Sequence, residues 1–214
     1  MQGNRQTIFA GVLVVASLAV FSTVLARATL FAPTDEAVPA VILGEVLGLD
    51  LKDNVEVSAE STSLPARLQI PKLDIDAKVQ YVGLTKKGNM AAPNNFTDVG
   101  WYKYGTVPGE EGSAVIAGHV DNGIALPAIF NKLDDLAEGD DIYVETSEGT
   151  RVRFIVKEKN VYDFDEKVDM VFNQKDASIL RLITCAGVWV PKIRTHDKRL
   201  VVTAVKAKAQ ISKN

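Results

Sequence analysis

The sequence predicts a mostly β domain, a sandwich or a closed barrel, preceded by an apolar N-terminal segment. From Leu64 onward, short runs rich in β-branched and aromatic residues recur about every dozen residues, with turn residues between them. Before that point lies one long uncharged apolar block. Many short strands at this spacing are typical of a β-sandwich or a β-barrel.

Seven segments have the composition or the alternation of strands. In one of them apolar and charged residues alternate from position 151 to position 157, which is the two-residue period of a half-buried strand. One helix is predicted between Leu126 and Leu136, because apolar residues fall at helical spacing, Pro127 suits the first turn and Gly139 ends it. The predicted strands are Arg67–Ile70, Ala77–Val82, Ala114–Val120, Asp141–Thr146, Arg151–Val161, Leu180–Cys185 and Arg199–Val205.

The apolar block Ile8–Ala26 predicts a membrane anchor. It contains no charged residue, and a helix of that length rises about 28 Å, close to the hydrocarbon thickness of a bilayer. A cleaved signal peptide is the alternative, since residues 26–28 read Ala-Arg-Ala, although signal h-regions usually run only about 7–15 residues. We predict a short cytoplasmic N-terminus at 1–7, a transmembrane signal-anchor at 8–26, a linker at 27–64 and a folded extracytoplasmic domain at 65–214.

Charge and cysteine content narrow the function classes. The formal net charge is −3, which does not indicate a nucleic-acid binder, because duplex binding needs a strongly basic face. The chain has one cysteine, so it cannot form an internal disulfide. A free thiol outside the cell is exposed to oxidation, and it therefore calls for a chemical explanation.

Cys185 is the candidate nucleophile. It ends a predicted strand, so its thiol is expected to point into loops that a substrate can reach. A thiol needs a base or a cationic partner, and the two histidines of the chain, His119 and His196, are the choices. His119 ends the strand Ala114–Val120 in the motif Gly-His-Val-Asp. Arg199 opens the last strand and is suited to stabilise an oxyanion; Arg194 in the preceding loop is the less favoured alternative.

These motifs resemble the sortase family, and most closely its class E and F group. The resemblance covers position 65 to about position 208, two-thirds of the chain. It rests on R-L-x-I-P-K-L-D-I at 67–75, V-G-W-Y at 99–102, G-S-A-V-I-A-G-H-V-D at 112–121, L-I-T-C at 182–185 and R-L-V-V-T-A at 199–204.

The resemblance implies a closed eight-stranded β-barrel with short helices, and a cysteine transpeptidase that needs no metal or organic cofactor. Cys185 would attack the Thr carbonyl of an LPxTG-like sorting signal and form a thioester, and an amine of the cell envelope would resolve it. His119 would be the general acid and base, and Arg199 would stabilise the oxyanion or the substrate. Thr184 is predicted to bind the substrate backbone or to pack, and Trp189 to line the substrate groove.

The expected partners are secreted proteins with a C-terminal LPxTG-like signal, the envelope amine and the membrane. His196 is predicted to be a solvated loop residue, and Asp121 to orient a neighbour or to form a turn. The acidic residues between 163 and 169 match no dedicated calcium loop and are predicted to be a solvated loop.

Two other classes of protein share part of this pattern. An L,D-transpeptidase also uses an extracytoplasmic cysteine, but its Ser-His-Gly-Cys motif does not occur in this sequence. A membrane-anchored binding module with a sortase-like barrel and no turnover is the non-enzymatic alternative.

Overall fold

Eight strands close into one barrel in the computed structural model, which describes residues 20–23, 31–32 and 63–208. A short helix, Met170–Asn173, and two 3₁₀ turns, Pro71–Leu73 and Leu133–Asp135, accompany the strands. The predicted closed barrel with few short helices is confirmed. The strands are β1 (Pro65–Ile70), β2 (Ile75–Val82), β3 (Val99–Tyr102), β4 (Gly112–Ala117), β5 (Asp141–Thr146), β6 (Arg151–Asp163), β7 (Ser178–Val190) and β8 (Thr195–Lys206).

The strand order around the barrel is β1-β2-β3-β4-β7-β8-β6-β5. The pairs β2–β3 and β4–β7 are parallel, and the other pairs are antiparallel. This order makes β4, β7 and β8 neighbours, although the segment 118–177 separates β4 from β7 in the chain. The predicted strands that contain Cys185 and Arg199, and the one that leads to His119, therefore lie side by side.

Alternation along these three strands separates the barrel interior from an outer face. Leu180 and Leu182 of β7 belong to the main core, together with Ile116 of β4 and Val202 of β8. The residues between them point the other way, because successive side chains of a strand lie on opposite faces. A second apolar cluster occupies that outer face, with Val115, Val171 and Val201 at its centre and Ile183 packed against it.

The predicted helix between Leu126 and Leu136 is wrong. Residues 121–132 form a bridge and turns, and Ala125 has a positive φ of 59°. Phe130, Leu133 and Leu136 are buried in the main core, and successive backbone bonds join residues three apart, such as Leu133 N to Phe130 O at 3.1 Å. A three-residue period is that of 3₁₀ turns, so the apolar spacing came from turns rather than from an α-helix.

Several strand ends also differ from the prediction. β3 was recognised only as a motif and not as a strand. β7 continues past Cys185 to Val190, and β8 begins at Thr195, so the thiol does not end its strand and Arg199 does not open the last one. The two strands form a long hairpin with a register shift between Ala186 and Trp189.

The predicted anchor and linker lie almost entirely outside the described residues. Residues 20–23 are helical, and Phe31 forms an isolated bridge with Asn95. Ala32 donates a backbone hydrogen bond to Asn94 O at 3.0 Å and is buried beside Phe96. Among the residues described, no helix is long and apolar enough to cross a membrane.

Candidate active site

The outer face of β4, β7 and β8 brings the predicted catalytic residues together. Cys185 of β7 and Arg199 of β8 are direct partners across the antiparallel pair, so their side chains lie on the same face. On the other side of β7, Ala117 is paired with Ile183, and Gly118 N donates to Ile183 O at 3.0 Å. When this parallel register is extended by two residues, His119 stands beside Cys185. The three residues are therefore adjacent on three neighbouring strands, and each is partly exposed.

His119 is held by its ring and by its backbone. Nε2 lies 2.9 Å from Pro93 O, and the ring contacts Phe96 with centroids 5.0 Å apart. Its carbonyl oxygen accepts a bond from Phe130 N at 2.9 Å. A carbonyl only accepts, so Nε2 carries the proton of this bond and Nδ1 is the atom that can take up or release a second one.

Close packing against Phe130 explains why a glycine precedes His119. A Cβ at position 118 would stand 2.5 Å from Cδ2 of Phe130, whose ring is part of the main core. The backbone leading to His119 therefore passes directly against an aromatic ring, and a side chain there would displace either the ring or the histidine.

Arg199 is half-buried and oriented by three hydrogen bonds. Nη1 donates to His196 O at 2.9 Å and to Lys198 O at 2.7 Å, and Nη2 donates to Thr195 Oγ1 at 2.9 Å. A guanidinium has about five N–H donors, so these three bonds leave about two for a ligand. The guanidinium is thus oriented in advance, with donors to spare, on a residue that shares a strand face with Cys185.

Arg194 occupies a different place. It lies in the turn of the β7–β8 hairpin, is exposed, and has a positive φ of 55°. Its backbone N–H donates to Val190 O at 2.9 Å, which closes the turn. This position is away from the pair formed by Cys185 and Arg199, and it favours Arg199 for the predicted role.

Thr184 faces the interior behind Cys185. It is buried, and its hydroxyl donates to Gly118 O at 2.8 Å. This bond ties the residue before the thiol to the residue before His119. The placement does not support the predicted contact of Thr184 with substrate; the hydroxyl instead joins β7 to the end of β4.

Trp189 and His196 form a pair on the hairpin. Trp189 is exposed, and its ring meets the ring of His196 edge to face, with centroids 5.5 Å apart. The prediction that His196 is a solvated loop residue is wrong, because His196 lies in β8 and is only 9% exposed. Its Nε2 is 3.3 Å from Oδ2 of Asp121, a partner that sequence reasoning did not assign to it.

A buried arginine stands further along the same outer face. Arg181 of β7 is 3% exposed and donates to Ser113 Oγ at 3.2 Å, Thr203 Oγ1 at 3.0 Å and Gln174 Oε1 at 2.7 Å. Burial lowers the pKa of its guanidinium from the ordinary value. The sequence did not predict this cluster, because a charged residue such as Arg181 in the motif L-R-L-I-T-C is expected to be exposed. It fixes the segment after the helix Met170–Asn173 onto the sheet.

The segment around the acidic residues 163–169 leads from β6 to that helix. Asp163 forms an ion pair with Lys198 of β8 and raises the pKa of the lysine. Exposed apolar side chains follow, among them Phe164, Met170 and Phe172. Because Val171 packs in the outer apolar cluster, the exposed Met170 and Phe172 flank that cluster.

Comparisons with known proteins agree with this architecture. Residues 68–207 match the family model described as Sortase domain. Similar solved structures include sortase C-1 from Actinomyces oris, with 23% identity over 67% of this chain and 73% of that chain and a TM-score of 0.50. The pilus-related sortase C of Group B Streptococcus has 19% identity over 70% of each chain and a TM-score of 0.52.

Sortase A from Corynebacterium diphtheriae has 21% identity over 70% of this chain, which spans 63% of that chain, with a TM-score of 0.51. At such identities the three structures show a shared fold. None of the curated proteins is a match for this chain.

Proposed function

The chain belongs to the sortase family of cysteine transpeptidases, and from that premise we propose that it cleaves an LPxTG-like sorting signal and joins the released carbonyl to an envelope amine. The observation that carries this proposal is the side-by-side placement of His119, Cys185 and Arg199 on one outer face. A nucleophile, a proton carrier and a cation are the groups that amide exchange through a thioester requires.

The first half of the reaction forms the acyl-enzyme. The Cys185 thiolate attacks the carbonyl carbon of the signal's Thr, and a C–S bond forms while the carbonyl oxygen becomes an oxyanion. When the tetrahedral intermediate collapses, the C–N bond breaks. His119 in its protonated form gives the Nδ1 proton to the leaving amine, so that the peptide fragment departs neutral.

The second half reverses these roles. The acceptor amine attacks the thioester carbonyl and gives a proton to His119. Collapse of the second tetrahedral intermediate breaks the C–S bond and returns Cys185 as a thiolate. The hydrogen bond between His119 Nε2 and Pro93 O keeps the ring orientation through both halves, because that nitrogen holds its proton throughout.

Arg199 is suited to the oxyanion that appears in each half. Its three bonds to β8 fix the plane of the guanidinium before substrate arrives, so little reorganisation remains at the moment of reaction. Its place opposite Cys185 supports this role for Arg199 over Arg194.

The proposal extends to the location of the enzyme. Residues 8–26 would form a single transmembrane anchor, with 1–7 on the cytoplasmic side, 27–64 as a linker and 65–214 as the extracytoplasmic catalytic domain. The charge-free apolar block supports the anchor. The beginning of β1 at Pro65 supports the domain boundary. The substrates would be secreted proteins with a C-terminal LPxTG-like signal, and Trp189 would line their groove.

A peptide-transfer assay tests the function. The full-length protein in detergent is incubated with a library of LPxTG-like peptides and an amine acceptor, and products are identified by mass spectrometry. Wild-type protein should transfer the N-terminal fragment to the amine, and Cys185→Ala should form no product. Cys185→Ala with activity within about tenfold of wild type would remove the thiol from the reaction.

A further inference from the structure

His196 and Asp121 form a contact that the proposed reaction does not use. Nε2 of His196 lies 3.3 Å from Oδ2 of Asp121, and the side chains are 11% and 36% exposed. The imidazole nitrogen and the carboxylate oxygen are thus close enough for an electrostatic contact, in which the ring is the proton-bearing partner. Because its imidazole is largely buried, this contact differs from the ion pairs of the fully solvated surface.

His196, one member of the contact, is linked by hydrogen bonding to Arg199. The carbonyl oxygen of His196 accepts a bond from Arg199 Nη1 at 2.9 Å, and its neighbour Thr195 accepts one from Nη2. The backbone carbonyl of His196 and the side-chain hydroxyl of Thr195 therefore accept two of the three bonds that orient the guanidinium. A shift of His196 along β8 would move both acceptors.

Asp121, the other member of the contact, is linked through the backbone to His119. Asp121 follows His119 by two positions and forms an isolated bridge with Pro127. Val120 O accepts from Ala128 N at 3.0 Å, and His119 O accepts from Phe130 N at 2.9 Å. The segment 119–121 is therefore fixed to the following turns, and Asp121 presents its carboxylate to the β7–β8 hairpin from a defined place.

Trp189 covers the remaining side of the His196 ring. The two residues are partners across the hairpin, beyond the register shift after Ala186. The indole thus covers part of the imidazole, and electrostatic contacts of a group removed from water are stronger than those of a solvated one. Among the residues that the structure describes, the contact between His196 and Asp121 is the one ion pair that joins the hairpin to segment 119–121.

We propose that His196 and Asp121 are positioning residues that set Arg199 relative to His119 and Cys185. The proposal deepens the proposed function and rests on it. Removing the contact lets the Arg199 guanidinium and the His119 imidazole move independently, so the oxyanion donor is no longer aligned when charge develops in the transition state. The loss therefore falls on kcat rather than on KM.

Kinetics of paired variants of the full-length protein test this. His196→Leu and Asp121→Ala remove the contact, while His196→Gln keeps a side-chain N–H donor and Asp121→Asn keeps an acceptor. We expect each removing variant to lower kcat about tenfold or more with KM nearly unchanged, and the double variant to fall no further than the worse single one. His196→Gln should recover most of the lost kcat, which a merely space-filling role would not give. Asp76→Asn, which breaks the exposed ion pair with Arg67 between β1 and β2, is the matched control and should keep the wild-type kcat.

A measurement that needs no turnover tests the contact between His196 and Asp121 separately from the proposed function. Hydrogen exchange should become faster at 118–122 in His196→Leu and faster at 188–197 in Asp121→Ala, because each partner protects the other's segment. Wild-type protein without transfer activity would overturn the proposed function. The exchange data would still decide whether the contact between His196 and Asp121 links the two segments. Unchanged kcat in both removing variants, additive losses in the double variant, or exchange changes confined to the mutated segment would overturn the inference.

Discussion

At the scale of single residues, the proposed chemistry would depend on groups whose partners are fixed before substrate binds. His119 gives Nε2 to Pro93 O, and Arg199 gives three N–H groups to β8. Thr184, buried behind the thiol, bonds to the residue before His119. Preorganised groups of this kind contribute to the rate because they need not reorient when charge develops.

The two arginines provide the sharpest prediction at this scale. Arg199→Ala should lower kcat/KM about 10²-fold or more, the range seen when one oxyanion donor is lost. Arg194→Ala should have a much smaller effect, since Arg194 lies in the exposed hairpin turn. Steady-state transfer kinetics of both variants measure this. The opposite ranking would move the oxyanion role to Arg194.

Residue patterns predicted Cys185 and His119 as a pair because each stands in a short motif with its own local signal. They could not predict the partner of Thr184, which lies 66 positions away across the β4–β7 pair. For the same reason His196 was assigned to solvent: its neighbours come from β7 and from the segment after β4, and neither is near it in sequence. A short stretch of sequence does not indicate whether segments that are distant in the chain will bury it.

At the scale of elements, the β7–β8 hairpin shows why strand ends were misplaced. The predicted strand ended at Cys185, but β7 continues through Gly187, which lies at the register shift with a positive φ of 76° and where a Cβ would collide with Asp197 Oδ1. A glycine inside a strand pattern marks a bulge as readily as a turn. The strands therefore continue past the site and carry Trp189 and His196 with them.

The Arg181 cluster yields a prediction for these elements. Its guanidinium ties β7 to Ser113 of β4, Thr203 of β8 and Gln174 after the helix. Arg181→Ala leaves these buried polar groups without their donor, so the free energy of unfolding should fall by about 2–4 kcal/mol. Arg67→Ala is the control, because its ion pair with Asp76 is exposed and should contribute about 0–1 kcal/mol.

Urea unfolding of both variants, followed by tryptophan fluorescence, measures the difference. A loss for Arg181→Ala no larger than that for Arg67→Ala would show that the cluster adds nothing to the stability of the sheet. The comparison is informative because both substitutions remove the same side chain.

At the scale of the whole molecule, composition and spacing predicted a barrel or sandwich, but not the order of its strands. Two parallel pairs, β2–β3 and β4–β7, place segments together that are far apart in the chain. Such pairings depend on which apolar faces meet after the chain collapses. The resemblance of the motifs to one family, rather than periodicity, decided for a closed barrel with eight strands.

The domain boundary gives a prediction at this scale. A protein truncated to begin at Ser63 should be soluble, monomeric and active on peptides, because β1 begins at Pro65 and the family match begins at 68. Size-exclusion chromatography and the peptide-transfer assay test it against the full-length protein in detergent. Aggregation or inactivity of the truncated protein, with an active full-length protein, would mean that residues before 63 belong to the domain. The contact of Ala32 with Asn94 is the observed link that such a result would involve.

The central claim is that Cys185 forms the covalent intermediate, and trapping that intermediate tests it most directly. The protein is incubated with a sorting-signal peptide that carries a thiol-directed vinyl sulfone in place of the scissile carbonyl, digested, and analysed by mass spectrometry. The account predicts one adduct on the peptide that contains Cys185, a much slower adduct in His119→Ala, and none in Cys185→Ala. A wild-type protein that turns over the sorting signal but carries no adduct at Cys185 would contradict the account.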